Sequence, residues 1–187
     1  DTHRHAVPGC HFILSLPRPA GACRLAQTLG VSSSVNATPM LIHPGTGRTA
    51  LVVHSADFSS FTPAEVNCEK YILFVASQRV ATSLSTEVAR QWIDTGASYI
   101  CAWGPASSQV EESFDFASFL PELGTPLSFT LMTTSHKNEE LDEALWFAFY
   151  TANPPDDLNA ELETVVVLVD SRELEQKCRS WVQENRE

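Results

Sequence analysis

The chain has 187 residues, of which 43% are hydrophobic and 19% charged, and its formal net charge is −11. That length suits one domain, or one domain with an extension, and no apolar run approaches the roughly 20 residues of a membrane-spanning helix. An acidic surface repels phosphate backbones, so nucleic-acid binding is disfavoured; the charge serves solubility or a protein partner with a basic surface.

The charge is uneven. Residues 1–55 carry one acid, Asp1, against Arg4, Arg18, Arg24 and Arg48, a balance of +3, and the other 22 acids and 8 bases give −14. The five cysteines (Cys10, Cys23, Cys68, Cys101, Cys178) are widely spaced and form no Cys-x-x-Cys pair. A zinc ribbon and a thioredoxin-like site are therefore unsupported. Cys101 and Cys178 fall on apolar faces as small hydrophobes, and a cytoplasmic, reducing location is expected.

Residues 1–50 hold five prolines and five glycines and show no sustained period. Phe12 to Leu16 is apolar, but Pro17 and Pro19 cut it short, so a secretory signal core is not expected. Ala20-Gly21-Ala22-Cys23 only partly matches a lipoprotein cleavage site, and Asn36-Ala37-Thr38 matches a glycosylation sequon. These residues read as an N-terminal extension to a single α/β domain over 51–187. His43-Pro44-Gly45-Thr46-Gly47-Arg48-Thr49 resembles the end of a phosphate loop. Ile42 and Arg48 replace its required glycine and lysine, so a Gly-rich turn is expected instead.

From residue 49 the hydrophobic period alternates between strand and helix. Thr49 to Val53 predicts a short strand, and Tyr71 to Ala76 a strong one. Leu84, Val88 and Trp92 then repeat at helical spacing, with Ser83 or Ser85 as cap and Gly96 beyond the end. Ser98 to Trp103 predicts the next strand. Ser108-Gln109-Val110-Glu111 reads as a capping box for a helix with Val110, Phe114 and Ala117 inward. Leu127 to Thr133 predicts a third core strand. Asn138 is a candidate cap for a helix with Leu141, Leu145 and Phe149 inward, ended by Pro154-Pro155. Thr164 to Val169 predicts a fourth core strand, and Asp170 or Ser171 caps a last helix lined by Leu174, Cys178, Trp181 and Val182. Strands apolar on both faces and separated by helices predict a three-layer α/β/α sandwich. Its sheet is mainly parallel, with four or five strands.

The segments Tyr99 to Gly104, Leu131 to His136 and Glu140 to Phe147, in that order, give the chain a resemblance over roughly residues 70–170. It resembles a family of small uncharacterised bacterial proteins, a domain of unknown function. The resemblance implies a bacterial, cytoplasmic origin and carries no activity.

Ligands of an open parallel sheet sit outside the carboxyl ends of its strands. There the sequence places Arg79, Trp103, Thr134, His136 and Asp170 as candidate ligand-binding residues. His136 suits a general base oriented by Asp170, Arg79 suits an anion, and Ser77, Ser135 or Cys101 would be the nucleophile. Each has a plain account beside it. Asp170, Ser171 and Asn138 cap helices, His136 opens a solvated loop, Cys101 is buried in mid-strand, and Trp103 and Trp146 cover core edges.

The dinucleotide, hydrolase-elbow and zinc spacings are missing, so no cofactor and no metal are expected. The acids Glu139, Glu140, Asp142 and Glu143 match a helix dipole better than a cation. Two readings follow. The first is a non-enzymatic interaction or regulatory module with an acidic surface. The second is a small-ligand site or weakly marked enzyme in which Arg79, His136 and Asp170 converge.

Overall fold

The computed structural model of the chain describes residues 39–59, 66, 68–82 and 84–184. Most of the N-terminal extension, the lipoprotein-like fragment, the sequon and the candidate cap Ser83 lie outside the described residues.

Among the described residues, six strands form one sheet: β1 (Leu41–Ile42), β2 (Thr49–His54), β3 (Tyr71–Ala76), β4 (Ala97–Trp103), β5 (Met132–His136) and β6 (Thr164–Val169). Their order is β1-β2-β6-β3-β4-β5, with β1 antiparallel and every other pairing parallel. Four α-helices among the described residues accompany them: α1 (Thr86–Asp94), α2 (Ser107–Phe119), α3 (Leu141–Trp146) and α4 (Arg172–Glu184). α3 runs on into a π-helical turn, Phe147–Thr151.

Burial explains the three layers. All six side chains of β3 and all six of β6 are buried, which strands covered on both faces require. Alternate residues feed two cores. Ile72, Phe74, Val165 and Val167 pack beneath Leu145, Phe149, Leu174 and Trp181 of the α3–α4 layer. Leu73, Val75, Val166 and Leu168 pack beneath Val88, Trp92, Val110 and Phe114 of the α1–α2 layer. A mainly parallel three-layer sandwich is thus what the alternating pattern encodes.

The structure differs from the sequence-based expectation at several places. The sheet has six strands rather than four or five, because Leu41 and Ile42 pair with Ala50 and Thr49. The sheet therefore begins before residue 50, inside what reads as an extension. The phosphate-loop-like fragment is the turn between β1 and β2. β5 starts at Met132, not Leu127. Its register is fixed by pairing Tyr99 with Met132 and Trp103 with His136, and as an edge strand it tolerates the polar run Thr133-Thr134-Ser135. Leu127 and Leu131 instead pack below it as partly buried residues.

Two caps also move. α3 is capped by Glu140, whose carboxylate accepts from Glu143 N–H while the Glu143 carboxylate accepts from Glu140 N–H, so Asn138 is not used. α2 begins after Ala106 with no side-chain cap. Ser107, one residue before the expected capping box, is buried and takes a hydrogen bond from the Ser135 hydroxyl, 2.9 Å.

Candidate functional site

The helix after β3, α1, lies on one face of the sheet, and the helix after β6, α4, lies on the other. β3 and β6 are neighbours, so their carboxyl ends mark the topological switch point, where open α/β sheets place ligands. Here that corner is filled. The buried Ser77 hydroxyl donates to Asp170 Oδ2 at 2.5 Å. The Arg79 backbone N–H donates to Ser77 Oγ at 3.1 Å, and its guanidinium donates to the Ala56 carbonyl at 2.8 Å, with Nε 3.7 Å from Asp170 Oδ2. The cavity lined by Ser77, Arg79, Thr82 and Asp170 is about 10 Å³, roughly room for one water. Asp170 therefore ties two strand ends together. The helix cap of α4 is Ser171, whose hydroxyl accepts from Leu174 N–H at 3.2 Å.

His136 belongs to a second cluster. It is the last residue of β5 and buried, not the opening of a solvated loop. Its Nδ1 hydrogen-bonds Glu139 Oε2 at 2.7 Å, and its Nε2 lies 3.2 Å from Thr134 Oγ1. The Trp103 indole N–H donates to the Glu139 carbonyl at 2.8 Å, and the Thr134 hydroxyl donates to the Ile100 carbonyl at 3.3 Å. Trp103, Thr134 and His136 thus form one hydrogen-bonded group at the β4–β5 edge.

The five candidate residues separate into these two groups. β6 and β5 are separated by β3 and β4. The ends carrying Asp170 and His136 therefore lie about 14 Å apart, three interstrand spacings of ~4.8 Å. Asp170 does not orient His136, and no Ser-His-Asp arrangement is assembled among the described residues. Cys101 is fully buried, and burial pushes its thiol up to about 12; Cys178 is raised likewise to about 12. Neither supplies a thiolate near neutrality. Cys68 is disulfide-bonded, a state that the expected reducing compartment does not favour. No helix among the described residues is long and apolar enough to cross a membrane.

Open space lies elsewhere. α3 follows the edge strand β5 and α4 follows β6, both on the same face, so the carboxyl ends of β3 and β4 lie between the two helices. A groove of about 920 Å³ opens there. Gln78 and Trp103 come to it from the strand ends, Glu140 and Asp142 from the start of α3, and Lys177, Trp181 and Glu184 from α4. It continues past Asp142 and Trp181 into a shallower recess lined by Glu143 and Trp146. Trp146 is 49% exposed and stacks on Tyr150, with ring centroids 5.4 Å apart.

Of these residues only Trp103 is among the candidates read from the sequence. The acids of α3 look like dipole-matched surface, and Trp146 and Trp181 like core cover. The usable signal is that two helices with acidic first turns follow strands far apart in the sheet, and that spacing depends on strand order, which the sequence does not disclose.

Comparison with curated proteins found no match, and comparison with solved structures found none. Residues 50–185 match the family described as Domain of unknown function (DUF7684), which spans the sheet from β2 to β6 and all four helices. This chain belongs to that family.

Proposed function

We propose that the chain is a non-enzymatic interaction module that holds a basic segment of a protein partner in the groove between α3 and α4. The observation that carries this reading is the groove itself: about 920 Å³, with Glu140, Asp142 and Glu184 against Lys177 as the sole cation among the described residues that line it, and with Trp103 and Trp181 in its lining. Lys177 is already paired with Glu173 at 2.8 Å, so it subtracts little from the field. The carboxylates attract a lysine or arginine, and the tryptophan faces accept its methylenes and its cation. The −14 balance beyond residue 55 works in the same direction at longer range, as steering.

The test is titration of the full chain with a short peptide of alternating arginine and leucine, read by tryptophan fluorescence at low and moderate salt. Binding is expected at low salt, to weaken as salt rises, and to fall about tenfold in Trp146→Ala, a loss of about 1.4 kcal/mol. Lack of binding at low salt, or equal binding by the charge-reversed pair Asp142→Lys/Glu184→Lys, would overturn the reading.

The groove's volume also lies within the usual range of small-molecule sites. That favours, as a second reading, a small cationic ligand in the same place, which a thermal-shift screen of amines would detect as a raised melting point.

A further inference from the structure

Behind the aromatic wall of the groove lies a histidine that the proposed function does not use. His43 directly follows the short strand β1 and is fully buried. Its ring packs on Phe149, Tyr150 and Trp181, with centroids 4.9, 5.3 and 5.3 Å away. Nδ1 accepts from the backbone N–H groups of Gly45 and Thr46, both at 3.2 Å, and lies 3.3 Å from Thr46 Oγ1. Two backbone donors aimed at Nδ1 require that atom to be unprotonated, so the ring proton is on Nε2. Nε2 has no hydrogen-bond partner among the described residues, and neither has the Tyr150 hydroxyl.

The turn that His43 fastens is also mechanically connected to the groove. Arg48, at its far end, donates from Nη1 to the Ala148 and Phe149 carbonyls and from Nη2 to the Ala152 carbonyl, each at 2.9 Å. The first two carbonyls belong to the π-helical turn that carries Tyr150, on which Trp146 is stacked, and the third directly follows it. Trp181, which also packs on the imidazole, lines the groove directly.

We propose that His43 is a proton-operated latch: neutral, it fastens the β1–β2 turn behind the groove's aromatic wall, and protonated, it releases the turn and weakens the groove's hold on a basic segment. Only the final step, release of the segment, rests on the function proposed above. A proton on Nδ1 would face the Gly45 and Thr46 N–H groups, replacing two accepted hydrogen bonds with donor-against-donor contacts. Among the described residues, the groups packed on the ring give the new charge no carboxylate. The turn presents Thr46 and Arg48, the π-helical turn presents Tyr150, and α4 presents Trp181.

Burial alone holds the imidazole below its ordinary titration range. A folded-state value that is depressed means that the latch holds above the ordinary histidine range and is lost as pH falls through it.

The experiment is amide hydrogen exchange on the full chain at about pH 7.5 and about pH 5, corrected for intrinsic rates, with the His43 ring titrated by NMR. In the wild type, protection at Gly45 and Thr46 is expected to drop about tenfold or more at the lower pH, since one unit of differential proton affinity is tenfold. His43→Asn keeps a side-chain acceptor for the turn without a titrating group, and its protection is expected to be the same at both values.

Unchanged wild-type protection at the lower pH overturns the latch, as does an equal loss in His43→Asn. Should that variant not fold, the wild-type ring titration decides: a depressed value with the proton on Nε2 is expected, and an ordinary value overturns the idea. The arginine–leucine peptide at about pH 7.5 separates the two proposals. Its failure to bind removes the groove's function and leaves the latch to stand on exchange and titration alone.

Discussion

Two regions at the carboxyl edge of the sheet show opposite solutions to the same topology. At the β3–β6 switch point, where open α/β sheets place ligands, Ser77, Arg79 and Asp170 bond to one another and leave about 10 Å³. A few residues away, between α3 and α4, about 920 Å³ is open, lined by Glu140, Asp142, Lys177 and Glu184. Polar residues that satisfy each other hold a fold together, and polar residues left facing a void are available to something else. Residue type does not separate the two regions, since each holds a carboxylate and a cation; the space left between the side chains does.

The sharpest way to break this contrast is at Gly104. Its φ of +100° lies in the left-handed region, and a Cβ there would run into the Ser77 carbonyl. Gly104→Ala should cost about 3 kcal/mol in chemical denaturation, from backbone strain together with displacement of the β3 end. A change below about 0.5 kcal/mol would mean that the filled corner is looser than it looks.

Asp170→Ala should cost about 2 kcal/mol, because it leaves the buried Ser77 hydroxyl without its acceptor. The same variant should bind the arginine–leucine peptide within about twofold of wild type, since Asp170 does not line the groove. A large loss of binding with stability preserved would assign the corner a role in recognition.

Asp142→Lys turns the contrast round. Peptide affinity should fall about tenfold as the groove loses a carboxylate and gains a cation. Stability should fall by only about 0.5–1 kcal/mol, from the charge placed in the first turn of α3.

The smallest effect concerns Cys101. With its thiol pushed up to about 12 and no exposed surface, it should resist maleimide at about pH 8 in the folded chain and react on denaturation. Rapid labelling of the native protein would show that the core under β4 opens.

How much was legible in the sequence varies along the chain. Tyr71 to Ala76 and Thr164 to Val169 read as strands and end where the sequence places them. Strands buried on both faces are apolar at every position, which leaves a signal that no local feature competes with. β5 was displaced because an edge strand needs fewer apolar residues, and the leucines before it drew the boundary toward themselves. Gly104 and Gly96 take positive φ at the ends of β4 and α1, as glycines bounding elements should.

The candidate site was less legible. Trp103, Thr134 and His136 do meet, as residues at the ends of adjacent strands must. Arg79 and Asp170 meet each other and not His136, because strand order inserts β3 and β4 between them.

The sequence by itself therefore determined the alternation of strand and helix, the two-sided burial of the central strands and the acidity of the surface. All three follow from local composition and period. Only the tertiary structure decided which strand ends lie side by side, that the switch point is closed by its own side chains, and that a groove is left between α3 and α4. Those features depend on pairings between residues about 100 positions apart, such as Ala76 with Val169, and nothing in a local window of sequence records them.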